Sequence, residues 1–232
     1  MEIKTHLATP NIPGWKEMAD EMLVACPDHL KDPRQYKFRS ENRSYEEVRS
    51  KIPLFDKFIQ SRTKRRIDGF KFYLTPPQGM IPHHKDGSWI YDIPYYAFSW
   101  VWPLTHNPNA FTEFWETDDS NMIDEQNPKG ESAAQGIYYE GTTTKATAYR
   151  PQLKPSRMNN LPRPNIFIEM PKDKTKLKMI GKTNIMTPTI IRVDHVHSVN
   201  NRSDSTRITV SIRWEKHNDF DIDNYIDLDG LL

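Results

Sequence analysis

Cysteine is all but absent from this sequence. The single residue, Cys26, can close no disulfide within the chain, which fits a reducing, cytoplasmic setting. Long apolar runs are missing too. No stretch approaches the roughly 18 residues of a membrane span, because Pro, Asp or Lys interrupts each within a few positions. The N-terminal MEIKTHLATP lacks the apolar centre of a secretion signal. Nor is there an excess of one charge: 32 Lys and Arg stand against 31 Asp and Glu, so no wholesale attraction to nucleic acid or an anionic membrane is expected. A partner must therefore be sought in a site and not in bulk charge. Internal repeats and low-complexity tracts are also lacking.

What is present is enough apolar and aromatic surface for one full core. With 36% hydrophobic and 11% aromatic residues over 232 positions, a single domain spanning 1–232 is expected. Its first part, 1–66, reads as helical. GWKEMADEMLVAC (14–26) spaces Trp15, Met18, Met22 and Leu23 for one amphipathic helix. From Ser44, SYEEVRSKIPLFDKFIQS opens with a capping-box pattern, Ser44 to Glu47, and Pro53 is placed to kink or split the helix downstream of it.

After Arg66 the texture changes to short aromatic and β-branched runs separated by Pro, Gly, Asn and Asp. Strands are expected at 69–74, 81–84, 95–104, 110–116, 165–170, 187–193 and 206–214. Seven or eight strands of this kind suggest a mainly β jelly roll with the N-terminal helices packed on one sheet. The core then comprises 67–116 and 165–215. Between them, 117–164 is polar and Pro-rich and reads as an insertion or lid, expected to be the most mobile part of the chain.

One constellation carries chemistry. Ile81-Pro82-His83-His84-Lys85-Asp86-Gly87 places His84 and Asp86 two residues apart at a strand end, where alternation sends both side chains to one face. Far downstream, Val193-Asp194-His195-Val196-His197-Ser198-Val199-Asn200 supplies another histidine. Two histidines and one carboxylate form the facial triad of non-haem iron sites, which leaves positions open for co-substrate and oxygen. Ten residues after His197, Arg207 opens RITVSIRW, in which Arg207, Thr209 and Ser211 share one face and Ile208, Val210 and Ile212 the other. An arginine directed into an apolar barrel needs an anionic partner, and a carboxylate matches its fork.

His84-Lys85-Asp86, the distal His197-Ser198-Val199-Asn200 and Arg207 together resemble the 2-oxoglutarate/iron(II)-dependent oxygenase superfamily, in the compact phage and bacterial branch that includes relatives of prolyl and aspartyl hydroxylases. The resemblance covers about residues 69–104 and 165–215. It implies a double-stranded β-helix, iron(II) held by His84, Asp86 and His197, and 2-oxoglutarate anchored by Arg207, with Tyr73 and Thr209 as further co-substrate contacts. It also implies molecular oxygen as oxidant, succinate and carbon dioxide as by-products, and an amino acid, peptide or small molecule as substrate. Since a carboxylate stands at the triad position where halogenating relatives carry a small residue, hydroxylation and not halogenation is implied.

Other residues compete for these roles. His83 would sit on the strand face opposite Asp86. His195 shares a face with His197 and is read as an orienting group or a polar strand residue. Arg213 and Lys71 are alternative anchors, with Arg213 expected near solvent at its strand end. Trp89, Trp100, Trp102 and Trp115 are read as packing residues, and Arg150, Lys154, Arg157 and Arg163 as a solvated series. Two other functions stay open at this level: a cupin-like metal enzyme built on His195 and His197 without 2-oxoglutarate, and a non-catalytic jelly-roll binding module with structural histidines. Only the oxygenase reading requires Arg207, and only the binding module requires no metal.

Overall fold

The computed structural model describes residues 7–32, 39–86, 98–118, 168–169, 173–193, 195–215 and 221–232. It is mainly β, with two antiparallel sheets and a helical layer. The helices are α1 (Trp15–Ala25), α2 (Asp28–Lys31), α3 (Tyr45–Val48) and α4 (Pro53–Gln60). The strands are β1 (Leu7–Ala8), β2 (Arg39–Ser44), β3 (Ile67–Thr75), β4 (Met80–Asp86), β5 (Phe98–Pro103), β6 (Ala110–Glu116), β7 (Ile168–Glu169), β8 (Lys178–Thr183), β9 (Thr189–Arg192), β10 (Val196–Asn201) and β11 (Arg207–Trp214). Six form a large sheet in the order β1-β9-β5-β11-β3-β2, and five a smaller one in the order β7-β4-β10-β6-β8. From β3 onward the chain passes repeatedly from one sheet to the other. All but Thr117 and Asp118 of the 117–164 insertion lies outside the described residues.

The N-terminal helices form for the reasons visible in their sequence. In α1 the buried positions Met18, Ala19, Met22 and Ala25 recur at helical spacing. Ser44 accepts a hydrogen bond from the Glu47 N–H while the Glu47 carboxylate accepts from the Ser44 N–H, so the capping box is complete. The helix it opens lasts one turn and passes through a 3-10 turn, Arg49–Lys51, before Pro53 starts α4 at a position where its missing N–H costs nothing. The exposed amide groups of Leu54 and Phe55 are then met from α1: the Glu21 carboxylate accepts from Leu54 N at 2.9 Å and Phe55 N at 3.3 Å. One side chain thus caps α4 and docks the two helices together.

That layer covers one face of the large sheet. Phe70, Phe72 and Leu74 of β3, Phe98, Trp100 and Trp102 of β5, and Ile208, Val210, Ile212 and Trp214 of β11 all point into a core with Met22, Ile52, Phe55 and Ile59 from the helices. Phe55 is its hub, with ring centroids 5.8 Å from Phe70, 6.4 Å from Trp100 and 5.3 Å from Trp102 in edge-on geometry. The C-terminal segment closes the layer through Ile222, Tyr225, Ile226, Leu228 and Leu231. Because strand side chains alternate, the residues between these apolar ones face the other way, toward the smaller sheet.

Four strands not expected from sequence complete the sheets: β1 and β2, in the part read as helical, and β8 and β10. β2 reads RSENRS and β8 reads KMIGKT, neither with the alternating apolar pattern of a half-buried strand. β2 and β8 each lie at a sheet edge and are held by their inner neighbours, β3 and β6. β10, which carries His197, is a central strand where none was expected between 193 and 206.

Since Phe55 is fully buried in the aromatic hub and its neighbour Leu54 is half exposed, Phe55→Ala is expected to cost about 3–5 kcal/mol and Leu54→Ala less than about 1 kcal/mol. Urea unfolding of the two variants measures the difference; equal losses would mean that the helical layer is not packed as described.

Candidate metal and co-substrate site

Between the sheets lies a cavity enclosing about 450 Å³ of empty space, part of it open to solvent. The large sheet contributes Tyr73, Ser99, Val101, Ile191, Arg207, Thr209, Ser211 and Arg213, and the smaller sheet Ile81, His84, Thr112, His197 and Val199. Thus Arg207, Tyr73 and Thr209, expected from sequence to meet the co-substrate, share one cavity with His84 and His197.

The two histidines meet because their strands pair. His84 of β4 lies directly across from His197 of β10, with ring centroids 4.3 Å apart and planes inclined by 50°. A bulge sets which of the adjacent histidines turns inward. The register runs from His84↔His197 to Ile81↔Val199, three steps on β4 against two on β10. Ile81 and His84 therefore both line the cavity, whereas His83 packs edge-on against Trp115, 4.8 Å between centroids. Strict alternation would have put Ile81 and His84 on opposite faces.

His197 is oriented by its own strand entry. Its Nδ1 lies 2.9 Å from the carbonyl oxygen of His195. A carbonyl only accepts, so the proton resides on Nδ1 and the lone pair on Nε2, the form in which a histidine ligates a metal. His195 thus contributes its carbonyl to His197, and its ring is not among the residues lining the cavity. Asp86 closes β4 two positions beyond His84, its backbone paired with Ile168; its side chain lies outside the described residues, as do Trp89, Asp92, Asp194 and the series Arg150, Lys154, Arg157 and Arg163. Among the described residues no group of three or more His, Cys, Asp or Glu side chains is gathered to hold a metal. The histidine pair supplies two donors of the kind an iron(II) site takes, and the third belongs to the expectation at Asp86.

Arg207 is 4% exposed, and among the described residues its guanidinium has neither an ion-pair nor a hydrogen-bond partner. Burial pulls its pKa down from the usual guanidinium range to about 10. By strand register the residue lies near Asn201, four residues along the chain from His197. Arg207 pairs with Thr75 across β11 and β3, and Asn201, four residues beyond His197, donates to the carbonyls of Thr75 (3.2 Å), Pro76 (2.9 Å) and Ser205 (2.9 Å). The same amide oxygen accepts from Ser203 N at 3.2 Å and Ser203 Oγ at 2.5 Å. Asn201 is fully buried and ties the 202–206 loop to the start of β11. Sequence reasoning singles out Asn200 instead; only the second asparagine of the pair Asn200-Asn201 makes these ties.

Arg213 differs from expectation. It is buried at 7% exposure and lines the cavity, its Nη2 donating to the Tyr73 hydroxyl at 3.0 Å and its Nε to Ser211 Oγ at 3.3 Å. The strand end is covered, so the solvent exposure anticipated there does not arise. Ser211 in turn hydrogen-bonds Ser99 on β5. Lys71 is buried on the neighbouring strand, with Nζ 5.1 Å from the centre of the Tyr73 ring.

No family model matches the chain, and no curated protein does. The chain is similar to solved structures of 2-oxoglutarate-using enzymes. One is a viral collagen prolyl hydroxylase from Paramecium bursaria Chlorella virus 1, solved as a 2-oxoglutarate complex, at TM-score 0.43 and 10% identity, covering 90% of this chain and 96% of that one. Another is the non-haem α-ketoglutarate-dependent carbocyclase SnoK of nogalamycin biosynthesis, at TM-score 0.46 and 10% identity, covering 97% of this chain and 80% of that one. Similarity at this level carries no functional argument, so function has to come from this chain's own residues.

The buried charge at Arg207 has a measurable consequence. A base whose folded pKa is lowered opposes folding in full below about pH 10, and the penalty is relieved only as pH rises above that toward the ordinary guanidinium range. At neutral pH the penalty is on the order of 3 kcal/mol. Arg207→Met is therefore expected to make the ligand-free protein more stable to urea at pH 7 by about 1–3 kcal/mol. A loss of stability on that substitution would mean that the guanidinium already has an anionic partner.

Proposed function

We propose that this chain is a non-haem iron(II) enzyme that couples decarboxylation of 2-oxoglutarate to hydroxylation of an unactivated C–H bond in an amino acid, peptide or small molecule. The observation that carries this reading is Arg207: a fully buried cation with no counterion among the described residues, facing the cavity in which two cross-strand histidines meet. A buried guanidinium without an anion is a large standing cost, which a dicarboxylate spanning from the histidine end to Arg207 relieves. Such a span requires the histidines and the arginine to lie at opposite ends of one chamber. The register of β10 and β11 supports that arrangement.

In this reading His84, His197 and Asp86 hold the iron, and the bound metal supplies oxygen activation. The strand order also favours it. Four strands of each sheet, β9-β5-β11-β3 and β4-β10-β6-β8, interleave along the chain as a double-stranded β-helix requires, and β1, β2 and β7 extend the edges. Arg207 binds the distal carboxylate, with Thr209 beside it and Tyr73 on the adjoining strand. Ile81, Val101, Thr112, Ile191, Val193 and Val199 form a mainly apolar wall that keeps water from the reacting carbon. Asp86, as a carboxylate at the triad position, favours hydroxylation over halogenation. A cupin-like site built on His195 and His197 is less well supported, since the His195 ring is not part of the cavity wall and such a site gives Arg207 no task.

The test is an anaerobic titration. The wild type is expected to bind about one equivalent of iron(II) and then, on adding 2-oxoglutarate, to develop a weak visible absorption band from the chelate. Arg207→Ala is expected to keep the iron while losing at least about tenfold in 2-oxoglutarate affinity, with Arg207→Lys little better. Asp86→Ala is expected to lower iron affinity strongly and abolish oxygen-dependent 2-oxoglutarate consumption. Full iron occupancy and turnover in Asp86→Ala would sink the triad, and unchanged co-substrate affinity in Arg207→Ala would remove the anchor.

A further inference from the structure

Two histidines stand side by side in β4, and the register with β10 decides which of them meets His197. Ile81 faces Val199 and His84 faces His197, so β4 uses one residue more than β10 over that interval. With Ile81 kept against Val199, a ladder without the extra residue would set His83 against His197. By alternation it would also turn Lys85 inward in place of Asp86. That register offers the chamber a histidine and a lysine, with no carboxylate two positions on. The candidate metal centre therefore depends on the bulge.

Pro82, within the bulge, has no N–H to give, so the ladder is one donor short there. Another contact reaches the bulge from the face of the small sheet turned away from the cavity. Trp115 of β6 lies on the far side of β10 from β4. Its indole N–H donates to Ser198 Oγ at 3.0 Å, and Ser198 is the chain neighbour of His197. The same ring reaches past β10 to pack edge-on against His83, the chain neighbour of His84, with 4.8 Å between centroids. Strands two apart in a sheet are separated by about 9–10 Å, a span that an indole covers and a short side chain does not. Ser198 is wholly buried and donates in turn to Glu113 Oε2 at 3.3 Å, which fixes the hydroxyl as an acceptor for the indole.

We propose that Trp115 is a positioning residue for the metal centre: its indole, anchored on Ser198, keeps His83 on the outer face of the small sheet and so leaves the inner face to His84 and, by alternation, to Asp86. Trp115 is not among the residues lining the cavity and touches neither metal nor substrate. It acts through the chain neighbours of two ligands at once, its N–H on β10 and its ring on β4. This rests on His84 and His197 being the metal-binding pair.

The register is readable without metal. In the full chain carrying isotope-labelled histidine, the His84 and His197 rings, 4.3 Å apart between centroids, are expected to show a nuclear Overhauser contact. Trp115→Ala is expected to weaken that contact and raise one between His83 and His197. Anaerobic titration with cobalt(II), whose visible bands report the number and kind of its donors, then reads the consequence. Trp115→Ala is expected to bind it at least about tenfold more weakly and with an altered band envelope. Ile59→Val, in the core beneath the helices, is the control for lost stability, with wild-type bands and an affinity within about twofold. If Trp115→Ala does not fold, the same criteria apply to Trp115→Phe, which keeps a ring and loses the N–H, at an expected loss of about threefold. A wild-type histidine contact together with cobalt(II) affinity within about twofold in the variant overturns the proposal. So does a weakened affinity with bands and histidine contact unchanged, since the loss is then general. Wild type that binds neither iron(II) nor cobalt(II) defeats the metal reading instead. The histidine contacts then decide the role of Trp115 alone, retained if His83 replaces His84 in the variant and lost if it does not.

Discussion

All eight residues of β11 are buried, yet the strand meets two opposite demands. Ile208, Val210, Ile212 and Trp214 enter the aromatic core beneath the helices, while Arg207, Thr209, Ser211 and Arg213 face the cavity. Period-two alternation is the only backbone geometry that serves both at once, and a slip of one residue would bury two guanidiniums in the core and expose the apolar set to the cavity. β11 is accordingly the most strictly specified element of the sheet. Its two neighbours, β3 and β5, share the same division, with Phe70, Phe72, Trp100 and Trp102 on one side and Tyr73, Ser99 and Val101 on the other.

Placing a bare cation in such a strand is destabilising, and the fold offsets it elsewhere. The hub around Phe55 and the tie of Glu21 to the α4 amides lie on the far side of the sheet from Arg207. The Asn201 network holds the loop that delivers Arg207, so the charged residue does not have to secure its own position. Strain at the site and compensation outside it are the usual division in a protein that binds a charged ligand.

The parts of this arrangement that depend on local chemistry were legible in the sequence. Ser44 and Glu47 cap a helix wherever the chain allows one, and Pro53 divides that helical segment because no preceding turn accepts its ring. The alternation in RITVSIRW announced a strand with one polar face, and the ten-residue step from His197 put Arg207 on it. What escaped was set by partners distant in sequence. β2 and β8 are strands because β3 and β6 offer them edges, not because RSENRS or KMIGKT prefers extension. The bulge that brings Ile81 and His84 to the same side depends on the register with β10, which no reading of IPHHKD alone contains. Arg213 stands near a strand end, a position that suggests solvent, and only the tertiary cover around Tyr73 and Ser99 shows otherwise.

The large sheet also acts as a bulkhead between two compartments with separate tolerances. On one side, aromatic rings interlock so closely that a change of volume is felt throughout the layer. On the other, the wall around the histidines is assembled from residues of different strands that pack in two small clusters, Val101 and Ile191 with Phe114, Ile185 and Val193, and Ile81 with Val199, separate from that core. Exchanging Val101, Ile191 or Val199 for larger or smaller groups would reshape the chamber without disturbing the hub at Phe55. A descendant of this chain is thus free to change what it works on one side chain at a time, and the helices behind the sheet need not register the change.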